Sequence, residues 1–177
     1  AGTLTKNDVV TGGEGTDTMK FAEDGSHDFT SDTTIVSNVS SIEKYQFSGM
    51  GGSDTVTIND AVITGNSHTI EFTSGVSGAN VLSAAGVLSS ATTLNFTDNG
   101  TGTTTYSIAN AKDVAALKAG NDTITVSVNA YISTTDEIDA GAGTDTMQFT
   151  ADTGSGTITL TGADQLAGVK NVETITF

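Results

Sequence analysis

The chain has 177 residues and a formal net charge of −15, with 21 acidic side chains against six lysines and no arginine. This charge excludes a nucleic-acid partner and disfavours an anionic membrane surface, because both are recognised by clustered basic side chains. Cysteine is absent, which excludes disulfide bonds and thiolate chemistry, and the 36% hydrophobic and 6% aromatic content favours short strands over packed helices.

Apolar residues alternate with polar ones over much of the chain, which predicts short, half-buried strands. In chain order, strands are predicted around Met19/Phe21, Val56/Ile58, 69–72, 93–97, 104–108, Ile124/Val126/Val128, Met147/Phe149 and 157–161. Residues 75–100, rich in Gly, Ser, Ala and Thr, are predicted to be strands with long loops. Asn110 predicts the start of a short helix over 111–119 that ends at Gly120, and a single helical turn is predicted over 163–167.

An acidic glycine turn followed by a strand occurs twice. Residues 12–21 read Gly-Gly-Glu-Gly-Thr-Asp-Thr-Met-Lys-Phe, and residues 140–149 read Ala-Gly-Ala-Gly-Thr-Asp-Thr-Met-Gln-Phe. A later strand with one glutamate follows each turn, at 39–47 and at 169–177. The two related cassettes, 1–58 and 117–177, flank a divergent middle of residues 59–116. The sequence therefore predicts a single elongated all-β unit with an internal repeat.

The duplicated turn has the chemistry of a site for a hard cation. Glycines at two-residue spacing let the backbone curl so that carbonyl oxygens line the inside of the turn. These glycines are Gly13, Gly15, Gly141 and Gly143. Calcium takes six to eight oxygen ligands, and the lack of cysteine with only two histidines argues against softer metals. The sequence therefore predicts Ca²⁺ as the bound ion, with Asp17 and Asp145 as the leading carboxylate ligands.

Further carboxylates are candidates for the same kind of site. An aspartate stands nine residues before each leading aspartate, at Asp8 and Asp136, and Asp139 lies close by. Asp54 and Asp122 belong to weaker relatives of the turn, which share Gly-x-Asp-Thr followed by an apolar residue. For these two, metal binding and ordinary turn capping are both open.

Glu43 and Glu173 lie in the later strand of each cassette. In a regular strand each glutamate shares a face with the apolar residues that follow it. That placement would require a cation or hydrogen-bond donors beside the carboxylate. The alternative is that each glutamate lies at the exposed start of its strand, and the sequence leaves both open.

Residues 12–19 follow the pattern G-G-x-G-x-D-x-U, where U is apolar, and this resembles the repeat-in-toxin (RTX) nonapeptide of calcium-filled parallel β-rolls. The paired cassettes, over residues 8–58 and 117–177, more closely resemble the calcium-dependent S-layer proteins of Gram-negative bacteria, which are exported by type I secretion. The resemblance implies a secreted structural module at the cell surface. Such a module would bind Ca²⁺, fold outside the cell and self-associate in a lattice.

The acidic turns are scattered along the sequence, whereas a β-roll stacks its nonapeptides in tandem. The sequence therefore predicts an all-β fold whose short strands form a β-helix, a β-roll-like or a β-sandwich framework. This framework would carry glycine–aspartate calcium turns and one or two short helices. No apolar run approaches the ~20 residues that cross a bilayer, so no transmembrane segment is predicted.

Enzymatic activity is not predicted. His27 and His68 are flanked by polar residues and are predicted to be solvated, and neither an H-E-x-x-H nor a G-x-S-x-G motif is present. The alternative function is a ligand-binding module of a large RTX-type adhesin, with a cell-surface polysaccharide as partner. A calcium-assisted polysaccharide lyase is disfavoured, because it needs a basic residue beside the ion and the six lysines are scattered.

Overall fold

A computed structural model describes residues 8–30, 38–59, 67–74, 76–86, 93–107, 112–117, 119–127, 132, 134–150 and 166–177. Within these ranges the chain forms sixteen β-strands and no helix. Accordingly, the described ranges contain no helix with the length and apolar character needed to span a membrane.

Two seven-stranded sheets contain fourteen of the strands. The first sheet consists of β2 (Thr18–Phe21), β5 (Lys44–Phe47), β7 (Ser67–Phe72), β9 (Thr93–Asp98), β11 (Lys112–Leu117), β13 (Glu137–Asp139) and β15 (Val169–Lys170). The second sheet consists of β3 (His27–Asp28), β6 (Thr55–Asn59), β8 (Ala79–Gly86), β10 (Thr103–Ser107), β12 (Thr123–Ser127), β14 (Thr146–Thr150) and β16 (Thr174–Thr176). The remaining strands, β1 (Val10–Thr11) and β4 (Val39–Ser40), pair with each other in parallel.

From β5 to β16 consecutive strands alternate between the two sheets, so the chain winds as a β-solenoid. Each strand pairs in parallel with the strand of the same sheet in the neighbouring coil, as β9 does with β7 and β11. The strand order in both sheets follows the chain, which means that the coils stack in sequence. The predicted all-β, β-helical framework is confirmed. The sandwich alternative is wrong, because sandwiches are built from antiparallel strands and the pairings described here are parallel.

The space between the two sheets is an apolar core. Buried residues alternate with half-exposed ones in β9 and β11, because successive side chains of a strand point to opposite faces. Phe47, Phe72, Phe96 and Tyr106 form a buried column with ring centroids 5.1 to 6.0 Å apart. Burying each such side chain stabilises the fold by ~1.5–3 kcal/mol.

The predicted helix over 111–119 is wrong. Lys112–Leu117 forms strand β11, which pairs with β9 on one side and β13 on the other. Every second residue of this strand faces the interior, namely Asp113, Ala115 and Leu117. The apolar pattern of the segment therefore fits the two-residue period of a strand as well as the period of a helix. A lone helix of this length is marginal in water, whereas pairing along both edges gives the backbone groups partners. Tertiary pairing therefore overrides the local helix signal.

Several other predicted elements are present or fall outside the described residues. The predicted strands at 69–72 and 93–97 lie in β7 and β9, and 104–107 lies in β10. The predicted strand at 157–161, together with Ile108 and Val128, lies outside the described residues. Residues 163–165 of the predicted helical turn also lie outside them. After these residues the chain forms a plain turn in which the Val169 N–H donates to the Leu166 carbonyl oxygen at 3.0 Å.

The prediction that both histidines are solvated surface residues is wrong. His68 is only 6% exposed, and the His27 ring lies against the rings of Phe21 and Phe47 at centroid distances of 4.9 and 5.3 Å. Burial lowers the pKa of both histidines, although nearby carboxylates oppose the shift. Their polar sequence neighbours were misleading, because neighbours along a strand point to the opposite face.

Candidate metal centre

A column of glycines runs along the turns that lead into the second sheet. Five successive coils contribute one glycine each: Gly52, Gly78, Gly102, Gly120 and Gly143. A Cβ atom at Gly102 would lie 2.0 Å from the carbonyl oxygen of Gly78, and one at Gly120 would lie 2.2 Å from that of Gly102. Only glycine allows backbones to approach this closely. The column therefore fixes how the turns stack.

Two residues after each of these glycines stands a buried polar residue, and we name this set the second-sheet ladder. Its members are Asp54, Asn80, Thr104, Asp122 and Asp145, with the exposed Glu173 closing it in the last coil. The backbone N–H of one coil donates to the side-chain oxygen of the next. These bonds run from Thr104 to Asp122 Oδ1 at 2.7 Å, from Asp122 to Asp145 Oδ1 at 2.7 Å and from Asp145 to Glu173 Oε2 at 2.8 Å. These three bonds tie the coils of Thr104, Asp122, Asp145 and Glu173 to one another.

A related set, the first-sheet ladder, lies at or just before the start of the strands of the first sheet. Its polar members are Asp17, Glu43, His68, Asp113 and Asp136, and the apolar Leu94 occupies the position between His68 and Asp113. The Asp17 N–H donates to Glu43 Oε2 at 2.9 Å, and the Asp113 N–H donates to Asp136 Oδ1 at 3.1 Å. The two copies of the acidic turn therefore lie at different corners of the solenoid. The turn at 12–17 leads into the first sheet, and the turn at 140–145 leads into the second.

Both copies of the turn require backbone conformations that favour glycine. The φ angles are 107° at Gly13 and 113° at Gly15, and 91° at Gly141 and 159° at Gly143. No atom lies within 4 Å of the position that a Cβ would occupy at Gly13 or Gly15, so the first turn is open on that side. The glycine spacing in the sequence is thus a requirement of the turn, and it leaves room beside the backbone for a ligand.

Glu43 and Glu173 have equivalent roles in the two ladders. Each accepts a hydrogen bond from the backbone N–H of the leading aspartate in its cassette, Asp17 or Asp145. Glu43 is half-buried and Glu173 is exposed. The sequence left open whether each glutamate has a cation or hydrogen-bond donor beside it or lies at an exposed strand start. A hydrogen-bond donor is present at both glutamates, and Glu173 also lies at an exposed strand start.

Four ladder carboxylates have one buried oxygen with no hydrogen-bond partner among the described residues. These atoms are Oδ2 of Asp17, Asp54, Asp122 and Asp145. A buried carboxylate oxygen without a donor or cation destabilises the folded chain, and a cation bound beside that oxygen would offset the cost.

The pKa shifts in the second-sheet ladder have the same cause. Burial raises the pKa of Asp122 to about 6, with the charges of Asp145 and Asp98 adding to the shift and the Thr104 N–H opposing it. Burial also raises the pKa of Asp145, against the opposing hydrogen bond from Asp122, and the charge of Glu173 adds to the shift. Adjacent coils thus bring like charges together in a low-dielectric interior.

The donors fit a hard cation such as Ca²⁺, because they are carboxylate and carbonyl oxygens. Across the described residues, no group of three or more Asp, Glu, His or Cys side chains could hold a metal ion by itself. Main-chain carbonyls of the turns would have to complete the coordination. Asp17 would act with the turn of Gly13 and Gly15, and Asp145 with the turn of Gly141 and Gly143.

The other candidate ligands have varied surroundings. Asp8 is exposed, and Asp136 is buried and accepts the Asp113 N–H. Asp139 Oδ1 accepts hydrogen bonds from the Gly141 N–H at 3.1 Å and from Asn171 Nδ2 at 2.7 Å, so it supports the second turn. Asp122 lies beside Asp145 in the second-sheet ladder, whereas Asp54 lies three coils away from Asp122.

Sequence reasoning missed Asn80 and Thr104 as ladder members. Asn80 Oδ1 accepts the Asp54 N–H at 3.2 Å, and Thr104 Oγ1 donates to Asp98 Oδ2 at 2.5 Å. Neither residue carries a charge, so a search for carboxylates passes over both. A search for a polar residue two positions after a glycine would have found Gly78-Ala79-Asn80 and Gly102-Thr103-Thr104.

Residues 4–23 match the family described as RTX calcium-binding nonapeptide repeat (4 copies). No curated protein and no solved structure matches the chain. The matched segment contains the first acidic turn, with Gly13, Gly15 and Asp17. Together, the match and the β-solenoid fold support an RTX-like repeat protein. The RTX repeat implies Ca²⁺ binding and supports a calcium-binding structural module.

Acidification is expected to substitute for calcium in the metal-free chain. Burial raises the folded-state pKa of Asp122 to about 6, above its ordinary 3.8, so folding favours the protonated carboxyl. This stabilisation is complete below the unfolded pKa and is lost as the pH rises through about 6. The folded fraction of calcium-free protein, followed by far-UV circular dichroism, is expected to increase from neutral pH to about pH 5, and Asp122→Asn is expected to flatten the increase. A decrease over this interval would contradict the expectation.

Proposed function

We propose that this chain is a calcium-dependent structural module of a bacterial surface layer, secreted and folded outside the cell. The observation that carries the proposal is the pair of carboxylate ladders at the acidic glycine turns, with Asp17, Asp122 and Asp145 each holding a buried oxygen that lacks a partner in the described residues. A bound Ca²⁺ would supply the missing positive charge. Ion binding and folding are then coupled, because the ion binds the folded turns and not the extended chain.

The same coupling fits export before folding. At low calcium the −15 net charge and the buried carboxylates of the second-sheet ladder oppose compaction, which favours a loose chain that can pass a type I channel. At high extracellular calcium, neutralisation of the ladders favours the stacked coils. Copies of the chain carry the same net charge and repel one another. Self-association in a lattice therefore requires surfaces at which two copies can come into contact despite this repulsion.

We further propose that the chain has no catalytic role. His68 is buried and His27 lies against aromatic rings, so neither is placed as a solvent-accessible base. Buried ladder carboxylates such as Asp122 and Asp145 accept backbone N–H groups of neighbouring coils, which is a structural use of these side chains.

Calcium is expected to raise the thermal midpoint of unfolding. A ligand present at one hundred times its Kd stabilises the folded state by ~2.7 kcal/mol, which is about 5–11 °C for a domain of this size and for each ion bound. The measurement is differential scanning calorimetry of the full chain in calcium and in chelator. Equal midpoints in the two conditions would overturn the calcium-dependent module.

The surface-layer part of the proposal has a separate test. Dialysis of the folded chain into calcium is expected to give flat, extended assemblies in negative-stain electron microscopy. Monomers that stay dispersed and are retained by a cell-surface glycan array would instead support the adhesin module, because such a module binds its ligand without forming a lattice.

A further inference from the structure

Four side chains meet on the outer face of the first sheet, outside both ladders. At their centre is Glu71 in β7, whose side chain is only 17% exposed. Glu71 Oε2 contacts Lys44 Nζ at 2.5 Å and accepts a hydrogen bond from Gln46 Nε2 at 2.8 Å. Glu71 Oε1 accepts a hydrogen bond from Asn99 Nδ2 at 3.1 Å. We name these four residues the Glu71 cluster.

 The Glu71 cluster is assembled from three successive strands of the first sheet. Lys44 and Gln46 lie in β5, Glu71 lies in β7, and Asn99 directly follows β9. The Asn99 N–H donates to the Phe72 carbonyl oxygen at 2.8 Å, which holds the Asn99 backbone against β7. Because β7 pairs with both β5 and β9, the sheet presents an amine and a primary amide to the two oxygens of one carboxylate.

An amine and an amide held by one carboxylate have the groups needed for amide exchange. The lysine amine becomes a nucleophile once it loses a proton. A carboxylate within hydrogen-bond distance of both nitrogens can accept that proton and pass it to the departing nitrogen. The flexible four-carbon stem of Lys44 lets Nζ move around Glu71 towards the side-chain carbonyl carbon of Asn99. Folding has already brought these groups together, so the reaction does not bear that entropic cost.

The fold opposes the other reaction open to this asparagine. In an Asn-Gly pair the glycine nitrogen can attack the asparagine side chain and close a succinimide ring. Here the Gly100 N–H donates to Asp98 Oδ1 at 2.7 Å. Gly100 is buried, and a Cβ atom there would lie 2.8 Å from the Val76 carbonyl oxygen, so the turn has little room to rearrange. The Gly100 nitrogen is thus held on Asp98, and the Asn99 amide is held on Glu71.

We propose that Lys44 and Asn99 form an intramolecular isopeptide bond, with Glu71 as the acid–base residue. The neutral Lys44 Nζ attacks Asn99 Cγ, the new N–C bond forms, and the bond from Cγ to Nδ2 breaks. One proton of the original lysine ammonium group stays on the new amide nitrogen. The other two pass through Glu71 to the departing nitrogen, which leaves as ammonium. The reaction occurs once in each chain and uses no external substrate.

The bond joins β5 to the end of β9 across β7, so it fastens three coils together. The chain contains no cysteine, so a disulfide bond cannot serve this purpose. A covalent cross-link stabilises a fold chiefly by restricting the unfolded chain. The inference requires the folded solenoid but does not rest on a surface-layer function, and calcium affects the reaction only through folding.

The test is the intact mass of the full chain after folding in calcium, together with its tryptic fragments. The wild type is expected to weigh less than its sequence by one ammonia molecule. Trypsin cuts after a free lysine but not after one acylated on Nζ. Residues 21–112 are therefore expected in one cross-linked fragment, in place of the separate fragments 21–44 and 45–112.

Three variants assign the bond to its residues. Lys44→Arg keeps the positive charge beside Glu71 but offers no amine, because the guanidinium group stays protonated. Glu71→Gln removes the proton acceptor. Both variants are expected to have the full mass of their sequences. Lys112→Arg changes the ion pair with Glu137, at 3.1 Å in the same sheet, and is the matched control that is expected to lose ammonia as the wild type does.

A wild-type mass equal to that of the sequence, with cleavage after Lys44, would overturn the isopeptide proposal. Loss of ammonia that persists in Lys44→Arg would also overturn it, because that loss would come from ring closure at Asn99 and Gly100. Conversion of Asn99 to aspartate without a cross-linked fragment would do the same. The wild-type mass and fragments decide the proposal even where a variant fails to fold.

Thermal melting in calcium and in chelator separates this inference from the proposed function. A cross-linked wild type with equal midpoints in the two conditions would keep the isopeptide bond and overturn only the calcium-dependent module. A wild type without the cross-link whose midpoint rises in calcium would keep the module and overturn only the isopeptide bond.

Discussion

Replacing Gly102 with alanine is expected to lower the free energy of unfolding by about 3–5 kcal/mol, the range of severe single substitutions. A Cβ atom at this position would lie 2.0 Å from the carbonyl oxygen and 2.7 Å from the nitrogen of Gly78. Both obstacles are backbone atoms of the neighbouring coil, so no side-chain rotation can relieve the overlap. The glycine column must open at this turn, and the stacked strands β8 and β10 must separate locally.

Gly52→Ala is the matched control, because Gly52 occupies the same column in an earlier coil. A Cβ atom there would meet only Asp54 Oδ2, at 3.7 Å, which is an ordinary contact. We expect a change within about 0.5 kcal/mol, as for unstrained surface substitutions. The measurement is urea unfolding in saturating calcium. Equal losses in Gly52→Ala and Gly102→Ala would show that close coil stacking is not what requires the glycine.

The strands could be predicted from the sequence because burial alternates along them. The two-residue period at Met147 and Phe149 corresponds to β14, in which both side chains are buried. The same rule failed over Lys112–Leu117, because a strand and a short helix can place the same apolar residues inward over so few positions. Only the pairing of β11 with its two neighbours decides between them, and pairing is a property of distant segments.

The stacking of the turns could not be predicted, because it depends on the length of each coil. The sequence shows Asp54, Asp122 and Asp145 as scattered motifs, whereas register places them in one ladder. The same effect separates the two copies of the acidic turn. Their local sequences are nearly identical, yet Asp17 precedes a first-sheet strand and Asp145 a second-sheet strand. Local similarity fixes the turn conformation but not the corner of the solenoid that it occupies.

The ladders also explain why the candidate metal centre contains neutral polar residues besides the carboxylates. Asn80 occupies the same position in its coil as Asp122 and Asp145 do in theirs, and its Oδ1 accepts the Asp54 N–H at 3.2 Å. Its Nδ2 donates to the Ser77 carbonyl oxygen at 2.7 Å, so a neutral amide is fully accommodated there. A neutral oxygen acceptor is therefore sufficient for the hydrogen bond between coils at Asn80, whereas a negative charge is an additional feature of the aspartate positions.

This distinction predicts opposite effects of Asp145→Asn with and without calcium. Asparagine keeps an oxygen for the Asp122 N–H but removes the buried charge whose pKa burial raises. In chelator the variant is expected to be more stable than wild type by about 1–3 kcal/mol, because the charged oxygen without a partner is gone. In excess calcium it is expected to be less stable, by the ~2.7 kcal/mol that one ion contributes at one hundred times its Kd.

Asp145→Ala distinguishes the contribution of the ladder hydrogen bond to stability from that of the bound ion. Alanine removes the acceptor as well as the charge, and the Asp122 N–H then loses its bond of 2.7 Å inside the solenoid. We expect this unsatisfied donor to make the alanine variant less stable than the asparagine variant by about 1–3 kcal/mol in both conditions. Urea unfolding of the wild type and both variants, in calcium and in chelator, gives the six free energies needed. A bound ion would make the loss of stability in Asp145→Asn differ between calcium and chelator. If asparagine lowers the free energy of unfolding equally in both conditions, the charge of Asp145 supports the ladder and does not bind a cation.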